Sequence, residues 1–272
     1  RHNCKIPFGL SQEANTMADL HVVKQGTGPM VVLSHALGCD LTMWDEVAGY
    51  LQTSYTVLRY DQCGHGRSPP QAGHNYTVEA YADEAAELIS QHSEGPVTFV
   101  GLVMGGMVGQ QLAVRHPQWV RRLVMANAAA FFAESVRADL GARMDQVRAH
   151  GLESTADAAI RQWVSPAFLA QPEGLKKMAA LRAMLQKTNS QVYVAACQSL
   201  VDADFASSNA HIACPTLVVA GTHDQNISLQ SAEVLCRSIS GARLHTLDTG
   251  RMSAVECPEE FAKLVHEFIQ TS

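Results

Sequence analysis

Short apolar runs alternate along the chain with longer segments of helical apolar spacing, and this alternation constrains the fold more than any other feature. Six runs rich in Val and Leu predict buried strands at residues 30–35, 56–61, 97–102, 122–127, 216–221 and 244–248. Apolar residues at helical spacing predict helices at 78–92, 107–116 and 258–269. Such alternation is typical of an α/β protein whose mostly parallel sheet is flanked by helices.

One long interval departs from this alternation. Residues 131–209 contain helical patterns at 133–150, 155–163, 174–187 and 191–203 but no convincing strand, and they fall between two predicted strands. We therefore predict a helical cap inserted at 131–209, with residues 17–130 and 210–272 forming the core. Residues 1–16 lack both periodicity and the apolar stretch of a signal peptide. We interpret 1–16 as a leader or expression remnant outside the fold, with a natural start at Met17.

The composition limits the classes of partner. The chain has 272 residues, of which 47% are hydrophobic, enough for one sizeable core. Asp and Glu outnumber Lys and Arg by 26 to 20, and no basic cluster marks a surface for nucleic acid or an anionic membrane. We therefore expect no nucleic-acid partner and no membrane association, whereas assembly into a homo-oligomer stays open.

Two further features bear on location and cofactors. The longest uncharged stretch, residues 95–114, approaches the length of a membrane span, but its glycines favour a strand, a tight turn and a buried helix. The 7 cysteines are scattered without a CxxC pair, which favours the reduced thiols of a cytoplasmic protein over a disulfide framework or a zinc site. No motif for a metal, a nucleotide or a flavin occurs, so we expect no cofactor.

Residues 101–106, with the sequence GLVMGG, lie between a predicted strand and a predicted helix. This is the context of a nucleophile elbow, the G-x-S-x-G turn that lifts a nucleophile above a sheet, but the middle residue here is Val103. Around this motif the chain resembles the α/β-hydrolase superfamily, and within it the 3-oxoadipate enol-lactonase-like branch. The resembling segments are LSHALGCDLTMWD (33–45), LRYDQCGHGRS (58–68), GLVMGGMVGQ (101–110), RRLVMANAAA (121–130), QWVSPAF (162–168), PTLVVAGTHD (215–224) and RMSAVECPEEF (251–261). The resemblance implies an α/β-hydrolase fold with an inserted helical cap.

The resemblance places the family's triad of serine, acid and histidine at Val103, Asp224 and Arg251, so that only the acid is retained. A valine has no lone pair with which to attack a carbonyl, and a protonated arginine cannot act as a general base. Loss of one triad member costs a serine hydrolase about a millionfold in turnover, so ordinary ester hydrolysis is expected to be absent. Nearby, Cys63 replaces an arginine that is usually structural in the family, and we interpret His65 as a residue that fixes this loop.

Other parts of the family's site are retained. The resemblance implies an oxyanion hole formed by the backbone N–H groups of Leu37 and Met104, and backbone donors survive side-chain replacement. It also implies that Asp224 lies close to Arg251. The pair is expected either to form a clamp that binds a substrate carboxylate or enolate, or to form a salt bridge that only fills space. Val103 is likewise either a pocket wall or a packing residue in a collapsed site.

Further residues are candidates by position. His35 and His223 flank the presumed pocket and are candidate acids or bases, although the family tolerates polar residues there without catalytic use. Cys39 and Ser253 are candidates for a displaced nucleophile. Four aromatic side chains are candidate pocket walls or, alternatively, ordinary core residues: Trp44, Phe131, Phe132 and Trp163.

Three functional hypotheses remain. The first is a cofactor-independent enzyme that performs isomerisation, cyclisation, or carbon–carbon bond making or breaking on a small carbonyl or carboxylate substrate. It would use the oxyanion hole with Arg251 and Asp224. The second is a catalytically silent ligand-binding protein, and the third is an enol-lactone or ester hydrolase inactivated by substitution at positions 103 and 251. The first is the function that we predict.

Overall fold

The computed structural model describes residues 20–271, so the interpretation of 1–16 and of Met17 lies outside the described residues. One sheet contains the strands β1 (Val22–Gln25), β2 (Met30–Ser34), β3 (Thr56–Tyr60), β4 (Val97–Leu102), β5 (Val120–Ala126), β6 (Thr216–Gly221) and β7 (Arg243–Leu247). Their order is β1-β3-β2-β4-β5-β6-β7, and only the β1–β3 pair is antiparallel. The predicted α/β fold with a mostly parallel sheet is confirmed.

Helices flank the sheet. Those of the core are α1 (Asp45–Leu51), α2 (Val78–His92), α3 (Met104–Arg115), α9 (Leu229–Arg237), α10 (Ser253–Glu256) and α11 (Pro258–Thr271). α1 packs against α11, while α2 packs against α3, which also contacts β4 and β5. Every residue of β4 is buried, as expected for a central strand covered on both faces. No helix between residues 20 and 271 is both long and apolar enough to cross a membrane.

The segment between β5 and β6 is helical. It contains α4 (Glu134–His150), α5 (Glu153–Arg161), α6 (Pro166–Leu169), α7 (Pro172–Lys187) and α8 (Ser190–Asp202). Its two ends lie side by side, because Phe131 forms an isolated β-bridge with Asp204 and the Phe205 N–H donates to the Ala130 carbonyl at 2.8 Å. The chain therefore leaves the core and returns to it at one place.

Four core elements were not anticipated from the sequence, among them the single-turn helix α10 (Ser253–Glu256). β1 is an edge strand of four residues, VVKQ, whose half-exposed positions lack a long apolar run. The helices α1 and α9 have only seven and nine residues, too short for several apolar repeats. The six predicted strands and the three predicted core helices all occur, with bounds that differ by up to three residues at an end.

Candidate active site

The turn between β4 and α3 has the strained geometry of a nucleophile elbow. Val103 at its apex has φ 51° and ψ −107°, a left-handed conformation that β-branched residues rarely adopt. Close packing holds the turn, because a Cβ at Gly101 would lie 2.1 Å from the backbone of Gly105, and one at Gly105 would lie 2.2 Å from the Ser34 carbonyl oxygen. The elbow thus persists although its apex carries no nucleophile.

A cavity lies between the core and the cap, and Val103 forms part of its wall. The core contributes Ala36, Leu37, Val103, Asn226, Ile227, Arg251 and Met252. The cap segment contributes Phe132, Val136, Leu140, Arg143, Trp163, Tyr193 and Leu200. The structure therefore places two of the candidate aromatic walls, Phe132 and Trp163, at the cavity together with Val103 and Arg251.

Arg251 and Asp224 form a buried ion pair. Nε of Arg251 lies 3.3 Å from Oδ1 and 3.4 Å from Oδ2 of Asp224, and Nη2 lies 3.2 Å from Oδ1. The Asp224 Oδ1 atom also accepts the backbone N–H groups of Asn226 and Ile227, both at 3.1 Å. Within residues 20–271 the Nη1 group of Arg251 donates to no protein acceptor, although the side chain is only 8% exposed. Donors of a cavity-lining guanidinium thus stay available to a ligand.

The loop that carries Arg251 is fastened to the cap. The Glu256 carboxylate accepts the backbone N–H groups of Gly250 at 2.8 Å and Ser165 at 3.1 Å. The Met252 N–H donates to the Trp163 carbonyl oxygen at 2.9 Å. Since Trp163 and Arg251 both line the cavity, these bonds fix the guanidinium relative to the opposite wall.

The backbone N–H groups of Met104 and Leu37 are those that the sequence predicts for an oxyanion hole. Met104 is the first residue of α3, where a helix leaves its N–H groups without helical acceptors, and Leu37 follows β2 in a loop that lines the cavity. Among the described residues, neither N–H donates to a protein acceptor. Donors of this kind can bind a carbonyl oxygen on which negative charge develops.

Two polar cavity residues were missed by the sequence analysis. Arg143 of α4 lines the cavity and donates from Nη2 to Gln162 Oε1 at 3.1 Å. Tyr193 of α8 faces the same cavity, and burial raises its pKa to about 12 against the opposing effect of the nearby Arg143 charge. A basic side chain on a mostly polar helix gave no sequence signal that distinguishes a cavity residue from a surface residue.

The two candidate histidines do not belong to the cavity lining, and their predicted catalytic role is not supported. His35 is fully buried, its Nδ1 lies 2.8 Å from the Ala36 carbonyl, and its Nε2 accepts the Gln62 N–H at 3.0 Å. Burial lowers the pKa of His35, so the ring is a neutral structural group. The His223 side chain is 47% exposed and its Nε2 lies 2.7 Å from Asp248 Oδ1 on the surface.

Neither candidate for a displaced nucleophile lines the cavity. Cys39 is fully buried, and its burial together with the Asp40 charge raises the pKa of its thiol far above the usual range. Ser253 donates its hydroxyl to Asn127 Oδ1 at 2.7 Å and is also fully buried. Both side chains therefore belong to the buried core and do not face the cavity.

Two of the predicted aromatic walls also require correction. Trp44 is fully buried and packs against Phe261 of α11, with ring centroids 5.9 Å apart, so it belongs to the core. Phe131 is 42% exposed, because the β-bridge to Asp204 directs this part of the chain along the surface, and only its neighbour Phe132 enters the cavity wall. Alternate residues of an extended segment point to opposite sides.

We expect the protein to resist reagents that label serine hydrolases. Without a hydroxyl at position 103, a fluorophosphonate should give no stoichiometric adduct, and nitrophenyl acetate should give no burst and a turnover far below about 1 per second. Intact-protein mass spectrometry and stopped-flow absorbance measure the two results. A stoichiometric adduct would contradict the expectation and would identify another nucleophile by its modified peptide.

Comparison with known proteins agrees with this geometry. Residues 29–257 match the family model described as alpha/beta hydrolase fold. The chain is 31% identical to 3-oxoadipate enol-lactonase 2 of Acinetobacter baylyi over 238 residues. These aligned residues make up 87% of each protein. It is 24% identical over 257 residues to the (E)-2-((N-methylformamido)methylene)succinate hydrolase of the same organism, with 93% of this chain and 94% of that protein covered.

The solved structures agree as well. The crystal structure of the enol-lactonase from Burkholderia xenovorans LB400 superposes with a TM-score of 0.85 at 30% identity and covers 92% of this chain and 96% of that one. Sequence and structure thus match over nearly the same span, which includes the elbow, the cavity and the Arg251–Asp224 pair. The chain belongs to the α/β-hydrolase family, in a branch similar to the enol-lactonases.

Proposed function

We propose that this protein is a cofactor-independent enzyme that acts without a covalent nucleophile on a small carbonyl compound bearing a carboxylate. The observation that carries the proposal is the guanidinium of Arg251, which is paired on one side with Asp224 and lines the cavity opposite the cap. A cation occupies the place of a neutral base, so the site is suited to holding negative charge.

The charges around the cavity support an anionic substrate. Among residues 20–271 its lining includes the cations Arg143 and Arg251 but no Asp or Glu. Asp224, which does not line the cavity, neutralises only one of these two positive charges. A carboxylate entering this cavity gains charge-assisted hydrogen bonds, since guanidinium groups bind carboxylates in a forked geometry. The names of two relatives, 3-oxoadipate enol-lactonase 2 and (E)-2-((N-methylformamido)methylene)succinate hydrolase, denote substrates of this carboxylate class.

The titratable groups that line the cavity narrow the reaction type. They are the two arginines and Tyr193, whose pKa of about 12 makes it a donor at neutral pH. None of these groups accepts a proton from a substrate under ordinary conditions. Loss of carbon dioxide from an oxo carboxylate needs no base, because the bonding electrons pass to an enolate, whose charge the backbone donors and Arg251 would stabilise until a proton from solvent converts it to the ketone. Such a carbon–carbon cleavage fits this site better than cyclisation, base-catalysed isomerisation or ester hydrolysis.

A small molecule that copurifies with the protein would test the proposal most directly. It should be released by denaturation, identified by mass spectrometry, and then incubated with and without fresh protein. We expect an oxo or enol carboxylate whose conversion the protein accelerates. A ligand that binds but is never converted would support a silent binding protein, and release of an alcohol or an acid by addition of water would support a hydrolase.

Arg143 provides an independent prediction about substrate charge. We expect Arg143→Met to weaken binding of 3-oxoadipate or its unreactive analogue adipate by about 1.5–3 kcal/mol, the range for a hydrogen bond to a charged group. Isothermal titration calorimetry of the parent and the variant measures this difference. The matched control is Arg148→Met, five residues further along the same helix, where the side chain is exposed and pairs with Asp145. Equal affinities of all three proteins would show that Arg143 does not contact the ligand.

A further inference from the structure

The cap side of the cavity changes from apolar to charged along its length. Three residues of α4 line the cavity, namely Val136, Leu140 and Arg143. They are four and three residues apart, so their side chains lie on one face of the helix. From Val136 to Arg143 the helix makes two turns and rises by about 10 Å. This face of α4 therefore begins with an apolar side chain and ends with a cation.

The helix α8 shows the same change in the opposite direction. Its residues Tyr193 and Leu200 line the cavity and lie about two turns apart. α4 and α8 pack against each other, and the β-bridge at the cap junction brings the start of α4 close to the end of α8. The end of α4 and the start of α8 line a common surface groove. The helices are therefore antiparallel, so Tyr193 lies at the same end of the cavity as Arg143, and Leu200 lies at the same end as Val136.

Both arginines of the lining lie at the end marked by Tyr193. Burial raises the pKa of this tyrosine, whereas the positive charges of Arg143 and Arg251 act to lower it, which places both cations near its hydroxyl group. The ring packs beside the loop of a predicted oxyanion donor, because a Cβ at Gly38, which follows Leu37, would lie 3.2 Å from Cε2 of Tyr193. We call this end of the cavity, formed by Arg143, Tyr193, Arg251 and Leu37, the polar end.

The other end of the cavity is apolar. Val136 and Leu200 line it together with Phe132, which lies at the cap junction just before α4, and we call these three residues the apolar end. Among the lining residues within 20–271, the only charged side chains are the two arginines of the polar end. A hydrocarbon group gains free energy when it leaves water for such surroundings, whereas a carboxylate loses hydration and meets no donor on these three side chains. The apolar end therefore favours hydrocarbon over a second carboxylate.

The charge at the polar end matches one carboxylate. Its two arginines carry two positive charges, and Asp224, which is paired with Arg251, neutralises one of them. We propose that the substrate is an oxo monocarboxylate with an apolar tail of several carbon atoms. Its carboxylate and carbonyl group bind at the polar end, where guanidinium groups and backbone N–H donors lie, and its tail extends to the apolar end. The oxo group in this inference rests on the proposed function, whereas the preference for an apolar tail does not.

Unreactive acids test the tail preference without any turnover. In isothermal titration calorimetry of the full chain, affinity should rise about fourfold per methylene group from butyrate through hexanoate to octanoate, the gain for burying one methylene. Hexanoate should bind at least about tenfold more tightly than adipate, which has the same number of carbon atoms but places a second charge at the apolar end. Affinities that do not rise with chain length would overturn the proposal, and so would adipate that binds as tightly as hexanoate.

A cation introduced at the apolar end should reverse this preference. Val136 is half-buried, so the helix can accommodate the longer side chain of Val136→Arg, and this variant should bind adipate more tightly than hexanoate. The matched control is Val194→Arg, at a half-buried position of α8 outside the cavity lining, which should keep the order of the parent. Circular dichroism and the melting temperature report whether each variant is folded. A folded Val136→Arg that still prefers hexanoate would contradict the proposal.

Turnover of 3-oxo-octanoate separates this inference from the proposed function. Loss of its carboxylate as carbon dioxide leaves the bonding electrons in an enolate, and a proton from solvent then gives heptan-2-one. Gas chromatography of the ketone, with and without protein, measures the rate. A tail preference in the binding series without faster formation of heptan-2-one would contradict the proposed reaction alone, whereas faster formation without a tail preference would contradict this inference alone.

Discussion

The double variant Val103→Ser/Arg251→His is expected to hydrolyse activated esters at least about a thousandfold faster than the parent, since a complete triad is worth about a millionfold in turnover. The elbow already has its strained backbone at position 103, and Asp224 already lies beside position 251. A serine hydroxyl and a histidine would therefore enter a site that retains its acid and its backbone donors. Nitrophenyl acetate hydrolysis with a pre-steady-state burst measures the gain.

The single variants are the controls for this expectation. Val103→Ser alone should stay near the parent because Arg251 cannot take the serine proton, and Arg251→His alone lacks a nucleophile. Adding Asp224→Asn to the double variant should remove most of the gain, since the histidine then loses its orienting partner. If the folded double variant shows no burst, the elbow and position 251 are not aligned for triad chemistry.

Arg251→Met is expected to destabilise the protein by about 3–5 kcal/mol, because it leaves the carboxylate of Asp224 buried without its cation. The side chain of Asp224 is fully buried, and within residues 20–271 only the backbone N–H groups of Asn226 and Ile227 would remain as its partners. Methionine is similar in length to the arginine stem, so the loss reports mainly the charge. Urea unfolding at neutral pH measures the free energy of unfolding.

The double variant Asp224→Asn/Arg251→Met is the control for stability. An asparagine oxygen can still accept both backbone N–H groups and carries no charge, so this variant should recover most of the lost stability. A stability of Arg251→Met close to that of the parent would mean that water reaches Asp224 and that the ion pair contributes little.

The core of the fold could be predicted because its strands are buried on both faces and therefore appear as continuous apolar runs, as in β4. The edge strand β1 gives no such run, since among the described strands only β3 pairs with it and its residues VVKQ are half-exposed. The elbow could also be located, because a strand followed by closely spaced glycines specifies a turn in which backbones approach each other.

The location of a predicted site residue followed from the sequence only where its position in the backbone determines that location. Leu37, Met104, Asp224 and Arg251 sit at strand or helix ends, and the structure places each beside the cavity or in contact with a lining residue. The role of His35 depends on the hydrogen bonds to Ala36 and Gln62, which no local pattern reveals. Arg143 escaped notice for a related reason, since its placement depends on how the cap packs against the core.

Because Phe131 pairs with Asp204, the cap is an insertion whose two ends lie next to each other. Both of its ends attach to the core at one point, so the parallel sheet would tolerate a different insertion with few changes at the junction. The lining divides along the same boundary, with Arg143 and Tyr193 on the insertion and Arg251 and the elbow on the sheet side. Exchange of the cap would therefore alter which substrates enter the cavity, whereas Arg251 and the elbow would stay unchanged.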